Sequence, residues 1–396
     1  MHITEDHVPY WLALWRVPRI GPVSFHKLLM HCEGNLPRLF ALSSAGLEKL
    51  GLKPAQIEKI KGFQQGRLSK GCSTPISKSV DEDLRWWHSA DNHHIVLCQE
   101  PSYPPLLKEV AGAPPLLFVK GDIDTLAFPQ IAIVGSRNPT RMGIDTAYNF
   151  SQHFARQGFI TTSGLAKGID GAAHQGALAA EGYTVAVLAH GLDQVYPRAN
   201  QSLADKIVEN GALVSEYPVG TGPRAEYFPR RNRIVSGMSL GVLVVEAAKK
   251  SGSLITAREA VQQGREVFAI PGSIHNPLVK GCHELIRQGA KLAESGEHVV
   301  EELLPLLSTY QLSTGQLDAV ATVNGDCQEL SAVSKNANYP KKSTEAQILS
   351  ILEHDPCNAD FVVSETGISI AEVNSALVML ELDGAIISTN SGYLLA

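Results

Sequence analysis

The sequence Ile131-Ala132-Ile133-Val134-Gly135-Ser136-Arg137 joins an uninterrupted apolar run to a glycine and two polar residues. Buried parallel strands have such continuous runs, because helices cover both faces of a parallel sheet. Similar runs recur downstream with amphipathic stretches between them, and they span 160–162, 184–188, 213–214, 242–245 and 267–270. This alternation predicts an α/β domain with a doubly wound sheet, to which residues 95–97 and 116–119 add strands.

Three segments rich in glycine and hydroxyl groups directly follow predicted strands. They are Gly135-Ser136-Arg137, Ser163-Gly164-Leu165-Ala166-Lys167-Gly168-Ile169-Asp170 and Ser251-Gly252-Ser253-Leu254-Ile255-Thr256. Ligands of doubly wound sheets bind at the carboxyl ends of strands. There, glycines admit a phosphate, hydroxyls and helix-start amides bond to it, and cations neutralise it. Each segment alone is weak, because glycine and serine are ordinary loop residues, but together they predict a phosphate site.

The stretch Phe228-Pro229-Arg230-Arg231-Asn232-Arg233 opens a predicted helix. A proline suits the first helical turn, so the donors that follow would gather at a helix N-terminus, which favours an anion. An isolated arginine cluster is more often a solvated helix face with ion pairs. Because residues 228–233 occur in the same domain as the three post-strand segments, we expect them to form one wall of the phosphate site.

None of these segments is a Walker A loop or the Gly-x-Gly-x-x-Gly dinucleotide fingerprint, so we expect no nucleotide cofactor. The six cysteines are scattered and form no Cys-x-x-Cys pair, which favours reduced thiols over a disulfide or zinc framework. Acidic residues near the N-terminus and the shortness of every apolar run predict neither a signal nor a membrane segment. We therefore expect a cytoplasmic protein without a metal site.

The chain has 396 residues and a formal net charge of -6, which argues against a basic coat around nucleic acid. A nucleic-acid site must therefore be local, and residues 224–233 hold four arginines and one glutamate. Residues 343–396 hold eight acidic residues and no lysine or arginine. This C-terminal region would repel DNA phosphates, so it favours a protein partner or a regulatory role.

The regions on either side of the central domain have their own patterns. Helical spacing of apolar residues over 8–65 predicts an all-α domain within 1–80, with a linker at 69–79. Its turn Ile20-Gly21-Pro22-Val23 resembles a helix-hairpin-helix, whose amides can hold a DNA phosphate, although such turns also serve as plain connectors. The central domain spans 81–307 and a polar linker spans 308–342. Helical segments and a hairpin around Asn390-Ser391-Gly392 predict a winged helix over 343–396.

With these motifs in order, the central domain closely resembles the DprA (Smf) family of DNA-processing proteins, from about Tyr103-Pro104 to Gly289-Ala290. Further matches are Gly191-Leu192-Asp193, Tyr196-Pro197, Ser215-Glu216, Arg265-Glu266-Val267 and Pro271-Gly272. The resemblance implies an extended Rossmann-like fold between a SAM-like helical bundle and a winged helix. It further implies a non-enzymatic protein that binds and protects incoming single-stranded DNA in natural transformation and helps load RecA recombinase onto it.

The same resemblance implies a positively charged pocket for phosphates. Its cations and polar groups would be Arg137, Lys167, Arg230, Arg231, Asn232, Arg233, Ser136, Ser163, Ser251, Ser253 and Thr256, with close backbone approach at Gly135, Gly164, Gly168 and Gly252. We expect the acids Asp170, Glu216 and Glu246 to hold some of these cations in ion pairs, and His174 to be packed and not catalytic. Aromatic candidates for base stacking, each more often a core residue, are Tyr196, Tyr227, Phe228 and Phe268.

Two other functions remain open from the sequence. The first is a nucleoside monophosphate hydrolase resembling the LOG proteins, whose signature Pro-Gly-Gly-x-Gly-Thr-x-x-Glu would correspond to the segment that ends at Thr256. We expect that segment to lack the catalytic glutamate. The second is an interaction scaffold in which the winged helix does the main work. Independently of function, the family suggests a homodimer, for which Leu285, Ile286 and Leu292 are candidates that equally suit a core.

Overall fold

The computed structural model describes residues 5–68 and 74–314, together with positions 362, 363, 366, 368–370, 373, 376, 377, 380, 386–389 and 392–395. The chain divides into two compact units, residues 1–316 and residues 317–396. The first unit contains a helical region followed by a mixed sheet, and the second contains a small hairpin with its own core.

The helical region is built from short amphipathic helices. They are α1 (Val8–Trp15), α2 (Pro22–His31), α3 (Leu36–Ala41), α4 (Ser44–Lys49), α5 (Pro54–Leu68) and α6 (Pro75–Trp87). Proline in the first turn starts several of them, where its missing N–H costs nothing. The predicted turn at Gly21 does join two helices, and whether its amides contact DNA stays a prediction.

Helix α6 differs from the sequence-based division of the chain. Thr74 and Ser77 form a capping box at its start, so part of the expected linker at 69–79 is helical, while residues 69–73 lie outside the described residues. The predicted boundary at residue 80 falls inside this helix. Helix α6 packs against α1, α5 and the first strand, and one hydrophobic core runs from the helical region into the sheet. The linker composition was misleading because serine and proline are also helix-start residues.

The sheet has nine strands in the order β1-β2-β6-β5-β4-β3-β7-β8-β9. The strands are β1 (His93–Leu97), β2 (Leu116–Gly121), β3 (Gln130–Gly135), β4 (Ile160–Ser163), β5 (Thr184–Leu188), β6 (Gly211–Ser215), β7 (Gly241–Val245), β8 (Glu266–Ala269) and β9 (Lys291–Leu292). Strands β3 to β9 pair in parallel, whereas β1 and β2 are antiparallel additions. The predicted doubly wound sheet is confirmed. The sequence missed β9, since two residues are too few to show a pattern.

Helices connect the strands, and one further helix follows β9. They are α7 (Pro105–Lys108), α8 (Arg141–Arg156), α9 (Ile169–Ala179), α10 (Gln201–Glu209), α11 (Tyr227–Gly237), α12 (Ser253–Gln262), α13 (Lys280–Arg287) and α14 (Gly296–Thr314). Helix α14 continues past the predicted linker start at residue 308. The strand order reverses at β3, which lies between β4 and β7, so a crevice is expected at their carboxyl ends.

In the second unit, β10 (Ile386–Thr389) and β11 (Gly392–Leu395) form an antiparallel hairpin at the predicted place. Apolar residues of helical segments pack with the hairpin residue Ile386; they are Val362, Val373, Ala376, Leu377 and Leu380. The remaining predicted residues of this domain and most of the 308–342 linker lie outside the described residues.

No helix within the described parts of the chain is long and apolar enough to cross a membrane. The three described cysteines, Cys32, Cys98 and Cys282, are free and buried. Burial raises the pKa of the Cys98 and Cys282 thiols to about 11, so both are packed as neutral groups.

His174 is fully buried in α9, as the sequence predicted. The hydroxyl of Thr184 donates to the carbonyl of Thr161, with 2.6 Å between the oxygens, so it accepts from Nδ1 of His174 at 2.7 Å. The other ring nitrogen, Nε2, has no partner among the described residues. Burial, aided by the charge of Arg231, lowers the pKa of His174 to about 3. The ring is therefore neutral in the folded protein.

We expect His174→Asn to flatten the pH dependence of stability between pH 6.5 and pH 3. In this window the unfolded chain binds a proton that the folded protein excludes. The stability contributed by the neutral His174 is therefore complete above pH 6.5 and is lost as the pH decreases towards 3. One such proton changes the free energy of unfolding by about 1.4 kcal/mol per pH unit. Urea unfolding across this range measures the difference in slope, with exposed His275→Asn as the control. Equal slopes for the wild type and His174→Asn would contradict the assignment.

Candidate nucleic-acid interface

A cleft of about 710 Å³ opens at the carboxyl ends of β3 and β7. Its lining comes from the loop after β3, the start of α9, the β6–α11 loop, α11 itself and the loop before α12. The sequence selected four of the contributing segments, residues 135–137, 163–170, 228–233 and 251–256, but not the β6–α11 loop. The fold brings parts of these four together at the point where the strand order reverses.

The loop after β3 forms one side of the cleft. Gly135 pairs with Val245 of β7, and a Cβ at this position would overlap the Val245 carbonyl oxygen. Glycine is thus required for β3 to lie close to β7. Ser136 accepts a hydrogen bond from the amide of Asn138, and the exposed Arg137 lies 5.4 Å from the ring centroid of Phe228. Arg137 is therefore a solvent-facing cation held over an aromatic face.

Arg231 of α11 lies at the bottom of the cleft and is only 5 % exposed. Its Nη1 donates to the carbonyl of Val187 at 3.1 Å, and its Nε has no partner within the described residues. Gly164 provides the space for this side chain, because a Cβ there would overlap the guanidinium. Burial lowers the pKa of Arg231, and the carboxylate of Asp170 opposes that shift. The cleft therefore contains a buried cation with unused hydrogen-bond donors.

Most of the loop between β4 and α9 packs behind the cleft and holds its walls in place, and few of its residues face the cleft. Asp170 accepts from the amides of Gly164 and Ala166 at 3.1 and 3.3 Å, which fixes the loop around the start of α9. Gly168 has φ +82°, and a Cβ there would overlap the carbonyl oxygen of Ser136. The hydroxyl of the buried Ser163 donates to the β3 backbone, which removes it from ligand binding. Only Ala166 and Asp170 of this segment line the cleft.

The N-terminal ends of α11 and α12 meet across the cleft. Asn232 donates to the carbonyl of Gly252 at 3.4 Å and so links the two helices. The hydroxyls of Ser251 and Ser253 lie 2.6 Å apart, and both residues line the cleft together with the buried Thr256. Two helix N-termini and several hydroxyls therefore face one space, which favours an anionic ligand.

The structure does not bring three of the predicted cations into the lining. Arg233 donates to the carboxylate of Glu216 and, at 2.7 Å, to the carbonyl of Gly112, so its charge is already compensated. Lys167 and Arg230 are exposed and stand outside the cleft lining. Successive helical residues point about 100° apart, so four adjacent polar residues cannot share one direction. The structure therefore places Arg233 in an ion pair and outside the cleft lining, and its role as a phosphate ligand stays a prediction.

The three buried acids have different roles. Glu216 pairs with Arg233, as predicted, and burial raises its pKa although the arginine opposes this. Asp170 binds backbone amides and influences Arg231 only through its charge. Glu246 was expected to hold a cation, but it accepts from the amide and hydroxyl of Thr140 and so anchors the start of α8.

Sequence reasoning missed Lys250, which is exposed and lines the cleft directly before Ser251. The signal was present, since Lys249 and Lys250 follow the strand that precedes the serine segment. Two aromatic candidates, Tyr196 and Phe228, also line the cleft, with ring centroids 5.9 Å apart and Tyr196 49 % exposed. Of the other two, Tyr227 stacks on Tyr217 and Phe268 is a core residue.

Comparison with known proteins identifies the family. The family model described as DNA recombination-mediator protein A matches residues 94–304, and the DprA winged helix domain matches residues 333–390. The chain belongs to the DprA (Smf) family of DNA-processing proteins. Its fold is the predicted one: an extended Rossmann-like sheet preceded by a helical region and followed by a winged-helix domain.

Members of the DprA (Smf) family match almost the whole chain. Protein Smf of Escherichia coli (strain K12) is 41% identical over 322 residues, which cover 80% of this chain and 80% of that protein. Protein Smf of Synechocystis sp. (strain ATCC 27184 / PCC 6803 / Kazusa) is 34% identical over 395 residues, covering 95% and 96%. The X-ray structure of DprA from Streptococcus pneumoniae superposes with a TM-score of 0.64 at 35% identity, covering 76% of this chain and 99% of that one.

We expect Gly164→Ala to destabilise the protein, because the added methyl group would displace the buried Arg231 guanidinium. Overpacking of this kind costs about 1–3 kcal/mol. Urea unfolding measures the change. Gly252→Ala is the matched control, since a Cβ at Gly252 meets nothing within 4 Å. Equal loss of stability in both variants would show that Gly164 does not make room for Arg231.

Proposed function

We propose that the cleft binds the sugar-phosphate backbone of single-stranded DNA. The observation that carries the proposal is Arg231, whose buried guanidinium has one protein acceptor among the described residues, the carbonyl of Val187. Leaving the donors of a buried charge unused is costly, and a phosphate oxygen in the cleft would remove that cost. The solvent-facing cations Arg137 and Lys250 stand where they can neutralise further phosphates.

The aromatic residues favour a single strand over a duplex. Tyr196 and Phe228 line the same cleft as the cations, and Tyr196 is half-exposed. Bases can stack on aromatic side chains only when they are released from a duplex, and such stacking tolerates any sequence. The cleft therefore combines backbone contacts with a sequence-independent platform for a base.

We further propose that the protein is not an enzyme. Thr256 is followed three residues later by Glu259, so the expectation that no glutamate stands at the LOG spacing was wrong. However, Glu259 lies one turn further along α12 and does not line the cleft. Among the described residues that line the cleft, the carboxylate is that of Asp170, and its Oδ2 already accepts hydrogen bonds from two backbone amides. Incubation of the purified protein with AMP should release no adenine, and release of free base would restore the hydrolase alternative.

The family description, a recombination mediator, supports the finer proposal that this cytoplasmic protein protects incoming DNA in natural transformation and passes it to RecA. A non-enzymatic carrier must hold the backbone without reading bases, and the cleft has the groups for this task. Adding the protein to single-stranded DNA should accelerate RecA filament assembly, as measured by light scattering. An unchanged or slower rate would refute the loading role.

We also propose self-association through the outer strand β9. Its partner on one side is β8, and Leu292 is 46 % exposed at this edge, whereas Leu285 is buried in the core. Unpaired strand edges readily pair with a second chain. Sedimentation at equal concentration should show a smaller species for Leu292→Lys than for the wild type, and identical species would exclude this edge as the interface.

The salt dependence of DNA binding gives a quantitative test of the cleft. Three or four cations that release counterions at about 0.7 each predict a slope of log affinity against log salt of roughly -2 to -3. Arg137→Ala with Lys250→Ala should reduce the magnitude of this slope by about 1.4. Fluorescence anisotropy with a labelled oligonucleotide measures both slopes, and a labelled duplex should bind more weakly.

The matched control removes two exposed cations from the opposite edge of the sheet. Lys206 and Arg287 lie in the last turns of α10 and α13, and crossover helices end near the amino edge of a parallel sheet. Lys206→Ala with Arg287→Ala should leave the slope unchanged. Equal slopes for the wild type and the cleft variant would contradict the proposed site.

A further inference from the structure

The loop between β6 and α11, residues 216–226, leads directly into the helix that carries Arg231. Pro223 and Ala225 of this loop line the cleft. Backbone groups in an irregular segment need partners from elsewhere in the fold. The contacts that hold this loop therefore also determine the shape of one cleft wall.

Three side chains of the helical region supply such partners. The indole N–H of Trp15 donates to the carbonyl of Glu216 at 2.7 Å. Arg16 donates to the carbonyl of Val219 at 3.1 Å, and Asp83 accepts from the amide of Val219 at 3.1 Å. Both polar backbone groups of Val219 are thus held by residues near the end of α1 and within α6.

Arg16 and Asp83 are themselves joined by a bidentate pair, with nitrogen–oxygen distances of 2.6 and 2.7 Å. The Asp83 side chain is 0 % exposed and that of Arg16 is 17 % exposed. Such a pair has a fixed geometry, because the planar guanidinium matches the carboxylate at two points. The ion pair, the N–H of Val219 and the carbonyl of Val219 therefore form one closed ring of hydrogen bonds between the helical region and the loop.

The same loop is connected to the cleft from two other sides. The carboxylate of Glu216 binds Arg233 of α11, which is separated from Arg231 on the chain by Asn232 alone. On the other side, Asp193 accepts from the amide of Gly220 at 2.9 Å, and its loop continues to Tyr196. Displacement of the loop would thus shift both α11, which carries Arg231, and Tyr196, which lines the cleft.

We propose that Arg16 and Asp83 are positioning residues, through which the N-terminal helical region orders the β6–α11 loop and thereby the wall of the DNA-binding cleft. The inference rests on the proposed function only for its effect on DNA affinity. It assigns the helical region a role in shaping the cleft that does not require this region to touch DNA.

The test uses Arg16→Met with Asp83→Leu in the full chain. Replacing both members of a buried pair by apolar residues avoids an unpaired buried charge, so the fold should survive. Val219 loses both of its partners, and amide hydrogen exchange of residues 216–226 should become at least about tenfold faster. Affinity for single-stranded DNA should fall by about tenfold or more through lost preorganisation, with an unchanged salt slope because the cleft cations remain.

The control is Arg38→Gln with Glu33→Gln, which removes an exposed ion pair of 3.0 Å from the same region. It should change neither exchange nor affinity. Faster loop exchange with unchanged affinity, or unchanged exchange, would overturn the proposal. If the wild type itself fails to bind single-stranded DNA, the proposed function fails, and the exchange of residues 216–226 and of α11 alone decides whether the pair positions the wall.

Arg16→Lys provides a second variant if the double substitution does not fold. It keeps the charge beside Asp83 but loses the planar fork that reaches Asp83 and Val219 together. Loop exchange and DNA affinity should lie between those of the wild type and those of the double variant. A lysine variant identical to the wild type in both measurements would show that charge alone is sufficient and would refute the positioning geometry.

Discussion

The burial of one guanidinium is the constraint on which the candidate site depends. Arg231 occupies a space that exists because residue 164 has no side chain, and it reaches the β5 backbone at Val187. Asp170 offsets its charge at a distance while organising the neighbouring loop through two amides. Because the protein supplies only one acceptor among the described residues, the cleft has an intrinsic preference for an anion.

The arginines of this protein have separate roles that net charge does not reveal. Arg16 and Arg233 are structural, since each forms hydrogen bonds to a buried carboxylate and to a backbone carbonyl. Arg137 and Lys250 remain available to solvent at the cleft. A chain of net charge -6 can therefore present a local cationic surface, because many of its acids and bases neutralise each other within the fold.

Much of the fold was predictable because its strands are buried on both faces. Continuous apolar runs identified β3 to β8, and the glycine-rich segments after them identified the edge at which a ligand would bind. The two-residue β9 and the continuation of α6 across residue 80 were not predictable. A strand of two residues has no periodicity, and the composition at 74–79 suits a helix start and a linker equally well.

By itself, the sequence determined the doubly wound sheet, the family and the four segments that surround the cleft. Buried strands appear in the sequence as continuous apolar runs, and helix starts appear as short segments rich in glycine and hydroxyl groups. Both patterns can be recognised from neighbouring residues alone. Only the tertiary structure decided which polar side chains face the cleft: Arg231 and Lys250 do, whereas Arg233 and Ser163 do not. That choice depends on partners distant along the chain, such as Glu216 for Arg233 and Ile133 for Ser163, and spacing within a motif contains no information about them.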